Sequence, residues 1–171
     1  MLIAAQGALN ALLTDIAIAA RSPLHDRPRK VAKAIGAHLL NPELLAGRHC
    51  ACCPDRYVRH LLYADPAGSY AAVALVWRPG QMSPIHAHRT WCAFGVHRGV
   101  LTEGFYRFAD NDPPQQSSSA LRAPGSVCHG PADPHQIHRL ANLGSDTALS
   151  IHVYGAPFER FGEDVNLIYE A

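Results

Sequence analysis

Apolar residues recur along this chain with two different periods. In the first stretch, "MLIAAQGALNALLTDIAIAARS", Leu9, Leu12, Leu13 and Ile16 fall at helical spacing. That spacing predicts an amphipathic helix packed on the rest of the chain and running to about Ala20. "SPLHDRPRKVAKAIGAHLL" predicts a second helix, with Ser22 or Asp26 as its cap and Pro28 near its start. "NPELLAG" reads as a further short helix, so residues 1–50 form a helical segment.

After "HCACCPD" the period falls to two. "YVRHLLYADP", "YAAVALVWRPG", "TWCAFGVHRG", "VLTEGFYRF", "ALRAPGSVCHG", "IHRLANLG" and "ALSIHVYG" are short runs rich in Val, Tyr, Phe and Trp, divided by Gly or Pro. Short strands at fairly even spacing predict a sandwich or barrel. "ADNDPPQQSSS" has no apolar content beyond its first alanine and reads as a polar loop or hairpin tip. No repeat and no linker interrupts the series. The expectation is one domain over 1–171, mainly β: a helical segment at 1–50, then a jelly-roll barrel at 55–171.

Composition narrows the setting. The 171 residues suffice for one domain with a sizeable core. A formal net charge of +1 gives no bulk attraction for nucleic acid or an acidic membrane. No Lys or Arg precedes the N-terminal apolar run, and Asp15 interrupts it, so neither a secretory leader nor a spanning helix is expected. The five cysteines are odd in number, and Cys50, Cys52 and Cys53 lie too close in sequence to bridge one another well. A reducing, cytoplasmic setting follows. "HCACC" lacks a second ligand pair at zinc-site spacing and reads as a loop of small residues.

Eleven histidines exceed what such a domain needs. His86 and His88 stand one residue apart in "PGQMSPIHAHRTWCAFGVHRG". Alternate residues of a strand share a face, about 6–7 Å apart at Cα. Two imidazoles so placed suit a transition metal; the plain alternative is a surface pair. Far along the chain, "PGSVCHGPADPHQIHRLANLG" carries a Pro-Gly turn followed by His138 and Asn142.

These two stretches resemble the paired motifs of the cupin superfamily. Gly80, His86, His88 and Gly99 match the first; Pro124, Gly125, His138 and Asn142 match the second. His129 and His135 are rivals for the third ligand, and His138 is preferred because it alone opens H-x-x-x-N. Cupins usually place a glutamate a few residues past H-x-H. Here that region reads "RTWCAF", so three histidines without a charge are expected. Three neutral imidazoles leave an iron(II) centre cationic and open to an anionic ligand and dioxygen.

In "LSIHVYG", Ser150, His152 and Tyr154 alternate and share a face, a row able to form a hydrogen-bond relay. With this row the chain resembles, over roughly residues 55–156, the thiol dioxygenases of the cysteine dioxygenase type. That family has three histidines on iron(II), a Ser-His-Tyr triad and an early "Y-x-R" arginine, matched by Tyr57 and Arg59. The resemblance implies that His86, His88 and His138 hold Fe(2+). It implies that Arg59, with Tyr57, pairs with the substrate carboxylate, and that Tyr154, oriented by His152 and Ser150, hydrogen-bonds substrate or oxygen. Cys92 stands where the animal enzymes link a cysteine to this tyrosine by a thioether. The segment from His88 to Cys92 is one residue shorter here, which reverses a side chain's direction unless a loop absorbs it.

The resemblance implies oxidation of L-cysteine by O2 to cysteine sulfinate. Relatives acting on 3-mercaptopropionate tend to carry Gln at the early arginine position and an arginine from the C-terminal end. Arg59 favours cysteine, and Arg160 reads as a solvated charge. Arg89 points away from the ligands if its strand is regular. A non-catalytic metal- or ligand-binding cupin sensor is the reading from a different class, and the Ser-His-Tyr row speaks against it. The expected partners are a small thiol and O2, with no nucleic acid and no membrane.

Overall fold

The computed structural model describes residues 2–108 and 113–169, with side chains from residue 7 onward. Helix α1 spans Leu2–Ala20 and α2 spans Arg27–Gly36. Asp26, not Ser22, precedes α2, and Pro28 lies in its first turn. The Asp26 carboxylate makes no capping bond; it pairs with Arg29 at 2.6 Å and Lys30 at 3.0 Å. "NPELLAG" is not a helix. Asn41 Oδ1 accepts the Glu43 N–H at 2.9 Å, and Leu44 and Ala46 N–H donate to carbonyls three residues back. The asparagine bond is of the kind that opens a helix, but the backbone bonds that follow span three residues and leave a series of turns, which buries Leu44 and Leu45. No helix among the described residues is long and apolar enough to cross a membrane.

Among the described residues ten strands follow, in chain order β1 (Val58–Ala64), β2 (Ala71–Trp77), β3 (His86–His88), β4 (Cys92–Arg98), β5 (Leu101–Arg107), β6 (Gln115–Arg122), β7 (Val127–Gly130), β8 (Asp133–Ala141), β9 (Ala148–Tyr154) and β10 (Asn166–Ile168). A 3-10 turn at Phe158–Arg160 and a short helix α3 (Phe161–Asp164) lie between β9 and β10. The strands form two five-stranded sheets, ordered β1-β2-β9-β4-β7 and β10-β3-β8-β5-β6. All named pairings are antiparallel. Of the stretch read as a polar loop or hairpin tip, residues 109–112 lie outside the described residues, and Gln115–Ser119 belong to β6, which pairs back on β5. That strand is an edge: its backbone pairs with β5 while its side chains stand mostly in solvent. An edge strand needs no apolar face, so its polar composition hid it.

The first sheet is covered on both sides. Its outer face, with Ala72, Ala74, Ala93, Ile151 and Val153, packs with Leu9, Leu12 and Ile16 of α1 and Val31, Ala32 and Ile35 of α2. Its inner face sends Val73, Leu75, Trp77, Phe94 and Val96 into the barrel. This double burial explains why every residue of β2 is buried and why it reads as an unbroken apolar run. The helical layer sits close. A Cβ at Gly95 would stand 2.5 Å from Leu39 Cδ1 and 3.0 Å from Ile35 Cγ2, so only glycine fits there without repacking.

Candidate metal centre

The three histidines come from two neighbouring strands of the second sheet. β3 carries His86 and His88, with Ala87 turned to the opposite face. β8 pairs with β3 so that His138 lies directly across from His86. One ring nitrogen from each of the three lies within 4.8 Å of the others. His88 Nε2 and His138 Nε2 are 3.0 Å apart. His129 and His135 are exposed on β7 and β8 and stand outside this group. Asn142 of the H-x-x-x-N match is structural: its amide donates to the carbonyls of Trp77 and Asp146, both at 2.8 Å, and closes the turn after β8.

The bonding of these rings fits a cation. His86 Nδ1–H donates to the Pro84 carbonyl at 2.9 Å, and His138 Nδ1–H donates to Glu103 Oε1 at 2.8 Å. Each bond leaves the other nitrogen bare and turned inward. His88 Nδ1 is buried without a partner. Burial, with repulsion from His138, pushes the His86 pKa down to about 3. Burial, with repulsion from His86 and His138, pushes His88 down to about 2. His86 and His88 are therefore neutral near pH 7, and the gathered ring nitrogens suit a first-row divalent metal.

Glu103, which sequence reading missed, completes this side. It occupies a buried inward position of β5, only 3% exposed. Its second oxygen accepts from Arg122 Nη2 at 2.6 Å and Nε at 2.7 Å, and from the Cys128 thiol at 3.5 Å. Burial works to raise its pKa, but the His138 hydrogen bond and the Arg122 charge outweigh this and hold the carboxyl below its ordinary value. Among the described residues the group is three histidines, and a carboxylate stands directly behind His138. Its trace in the sequence was a lone acid at an inward position between Leu101 and Phe105.

The facing wall comes from the first sheet. β9 turns Ser150, His152 and Tyr154 inward and Ile151 and Val153 toward the helices, as the alternation predicts. His152 Nε2 lies 2.8 Å from Ser150 Oγ, and its Nδ1 lies 3.1 Å from the Tyr154 hydroxyl. Phe94 stacks on the His152 ring at 5.0 Å. Arg59 on β1 lies across from Leu75, and its Nη2 donates to the Tyr57 hydroxyl at 3.2 Å. Its Nε is buried with no acceptor. Trp77, a second residue the sequence did not flag, stacks on Tyr57 at 4.3 Å and donates from Nε1 to Ser150 Oγ at 2.9 Å. Burial lowers the pKa of His152 well below its ordinary value and raises that of Tyr154.

Cys92 lies directly across from Tyr154 in the β4–β9 pairing. His88 and Cys92 belong to different sheets, joined by the bend at residues 89–91, so a change in that segment's length does not carry strand parity onto Cys92. Burial, with the Glu103 charge, pushes the Cys92 thiol up to about 12. A small cavity of about 20 Å³ lies between the histidines and Arg59, Tyr57 and Tyr154. A larger one, about 400 Å³, reaches His88 and His138 from the Glu103 side. Arg89 is exposed, and Arg160 pairs with Asp164 at 2.9 Å on the surface. Cys50, Cys52 and Cys53 join no metal-ligating group among the described residues. Their segment is held by its backbone: the Cys53 carbonyl accepts from Gln81 Nε2 and the Ala51 carbonyl bonds His60 Nε2, each at 2.8 Å.

Helices followed by two antiparallel sheets, with three histidines gathered between them, define a cupin-type metal protein. The chain belongs to the cysteine dioxygenase type I family, whose model matches residues 30–163. Among solved structures it is similar to the protein TT1209 from Thermus thermophilus, at 19% identity and a TM-score of 0.50, covering 63% of this chain and 89% of that one. It is also similar to a double-stranded β-helix protein from Klebsiella pneumoniae, at 19% identity and a TM-score of 0.49, covering 71% and 85%. A cupin 2 conserved barrel domain protein from Rhodopseudomonas palustris matches at 21% identity and a TM-score of 0.47, covering 58% and 61%.

Proposed function

We propose that the protein is an iron(II)-dependent thiol dioxygenase that converts L-cysteine and O2 to cysteine sulfinate, with both oxygen atoms entering the product. Family membership and the three-histidine group support the reaction class. The observation that carries the substrate is Arg59 Nε, a buried guanidinium nitrogen without an acceptor beside that group. A buried unpaired donor is costly, and a carboxylate is the acceptor that a guanidinium fork fits.

Iron held by His86, His88 and His138 would supply the redox chemistry that dioxygen needs and an attraction for thiolate. The protein's own groups then orient and enclose. Arg59 fixes the carboxylate end, and the Tyr57–Trp77 stack holds that wall in place. Tyr154, kept protonated by burial, donates a hydrogen bond into the cavity. Cys92, Phe94 and Leu75 supply apolar lining to the cavity. This small cavity has room for about one water, so seating an amino acid within it requires its lining side chains to shift.

A thiol panel on iron-loaded protein tests the reading by oxygen uptake and sulfinate yield. Cysteine is expected to lead. Preference for 3-mercaptopropionate would keep the Arg59 contact and remove the need for the substrate amine. Preference for cysteamine, which has no carboxylate, would overturn the Arg59 assignment. No oxygen uptake with any thiol would favour a binding cupin.

A further inference from the structure

Trp77, Ser150, His152 and Tyr154 form one chain of contacts, and one end of it has a fixed sense. An indole nitrogen only donates. Trp77 is 1% exposed, stacked on Tyr57 and held by Asn142 through its carbonyl. Its N–H therefore gives Ser150 Oγ a donor at 2.9 Å that cannot reverse.

Ser150 is fully buried, and its oxygen has two side-chain partners, Trp77 Nε1 and His152 Nε2. Having accepted from Trp77, the hydroxyl must place its own proton, and His152 Nε2 at 2.8 Å is the acceptor within reach. A ring protonated at Nε2 would leave the serine proton without an acceptor at a fully buried position, which is unfavourable. His152 Nε2 is therefore bare, and the ring's proton sits on Nδ1. From there it is donated to the Tyr154 oxygen at 3.1 Å. The Tyr154 hydroxyl proton is then directed away from His152, into the cavity it shares with Arg59 and His88.

We infer that Trp77 is a positioning residue: it sets the tautomer of His152 and makes Tyr154 a one-way hydrogen-bond donor to the bound substrate or oxygen. This rests on the proposed function for its catalytic consequence, but the tautomer itself does not depend on any activity. The cavity then presents two directed donors, Tyr154 Oη and Arg59 Nε, which selects a ligand with acceptor oxygens at that end.

The test reads ring nitrogens by long-range 15N–1H NMR in the metal-free, full-length protein. The wild type is expected to show His152 as a single neutral tautomer with the proton on Nδ1. Trp77→Phe keeps the ring stack and removes the donor; a second His152 tautomer is expected to appear. Ser150→Ala should release the same bias, and the double variant should add nothing to it. In the iron-loaded enzyme, Trp77→Phe should lower kcat about tenfold with unchanged iron content and little change in KM. A wild-type proton on Nε2, or an unshifted tautomer in both single variants, would overturn the inference. Intact tautomer behaviour with no thiol oxidation would instead sink only the functional reading.

Discussion

The two sheets that enclose the site differ in how they are supported and in what they contribute. The second sheet, with β3 and β8, supplies the three histidines and Glu103. Much of its outside meets solvent, and β6 is almost wholly exposed. The first sheet supplies Arg59, Trp77, Cys92, Ser150, His152 and Tyr154, and its outer face lies under two helices. A metal ion can align its own ligands, so the histidine wall needs only approximate placement. A hydrogen-bond relay has no such organiser. Its distances must come from packing, and the sheet that carries it is the one packed on both faces.

The largest expected effect breaks the histidine wall. His138→Ala should abolish stoichiometric iron, measured by metal analysis after loading, while the variant remains folded by circular dichroism. His86→Ala and His88→Ala should behave alike. Retention of tight iron by His138→Ala would return His129 or His135 to consideration.

The next compares the outer faces. Ile151→Ala, under the helices, should cost about 2–5 kcal/mol in denaturant unfolding. Leu121→Ala on the exposed edge should stay within about 0.5 kcal/mol. Equal costs would contradict the division between the two sheets.

Arg59→Ala and Glu103→Gln separate substrate from metal. Arg59→Ala should raise KM for cysteine about 10–100-fold, the loss of one charge-assisted contact, with iron content unchanged. Glu103→Gln should weaken metal affinity about 10–100-fold, as removal of a partner behind a ligand does, with a smaller effect on KM at saturating iron. Titration with competing chelator measures the second.

The last concerns acid. His86 and His88 have folded pKa values lowered to about 3 and about 2 from 6.5. Between those values and 6.5 the unfolded chain binds more protons than the folded one. Their contribution to stability is therefore whole above pH 6.5 and is lost as pH falls below it, by up to about 1.4 kcal/mol per pH unit for each proton. Metal-free protein followed by thermal melts from pH 7.5 to 5 should show this decline, and saturating metal should reduce it. A flat profile without metal would show that the rings are not buried as neutral bases.

Short-range order was legible in the chain and long-range order was not. The H-x-H pair, the alternation of Ser150, His152 and Tyr154 and the stripe of α1 follow from periods of two or about three and a half, which local backbone geometry enforces, and the second-motif histidine from its resemblance to the cupin motif. The misreadings fell where period and composition part. β6 looked like a loop because an edge strand is free to be polar, and "NPELLAG" looked helical although its backbone bonds close turns of three residues.

What sequence alone determined was the class of fold, the three histidines and the inward row on β9, because each is a matter of spacing within one element or of a motif pair. Tertiary structure decided everything that lies across strands. It put Glu103 behind His138, Trp77 above Ser150 and Cys92 opposite Tyr154, and it left Arg59 Nε without an acceptor. Those meetings depend on strand order and register, which join residues up to 73 positions apart, and no local pattern of side chains carries that information.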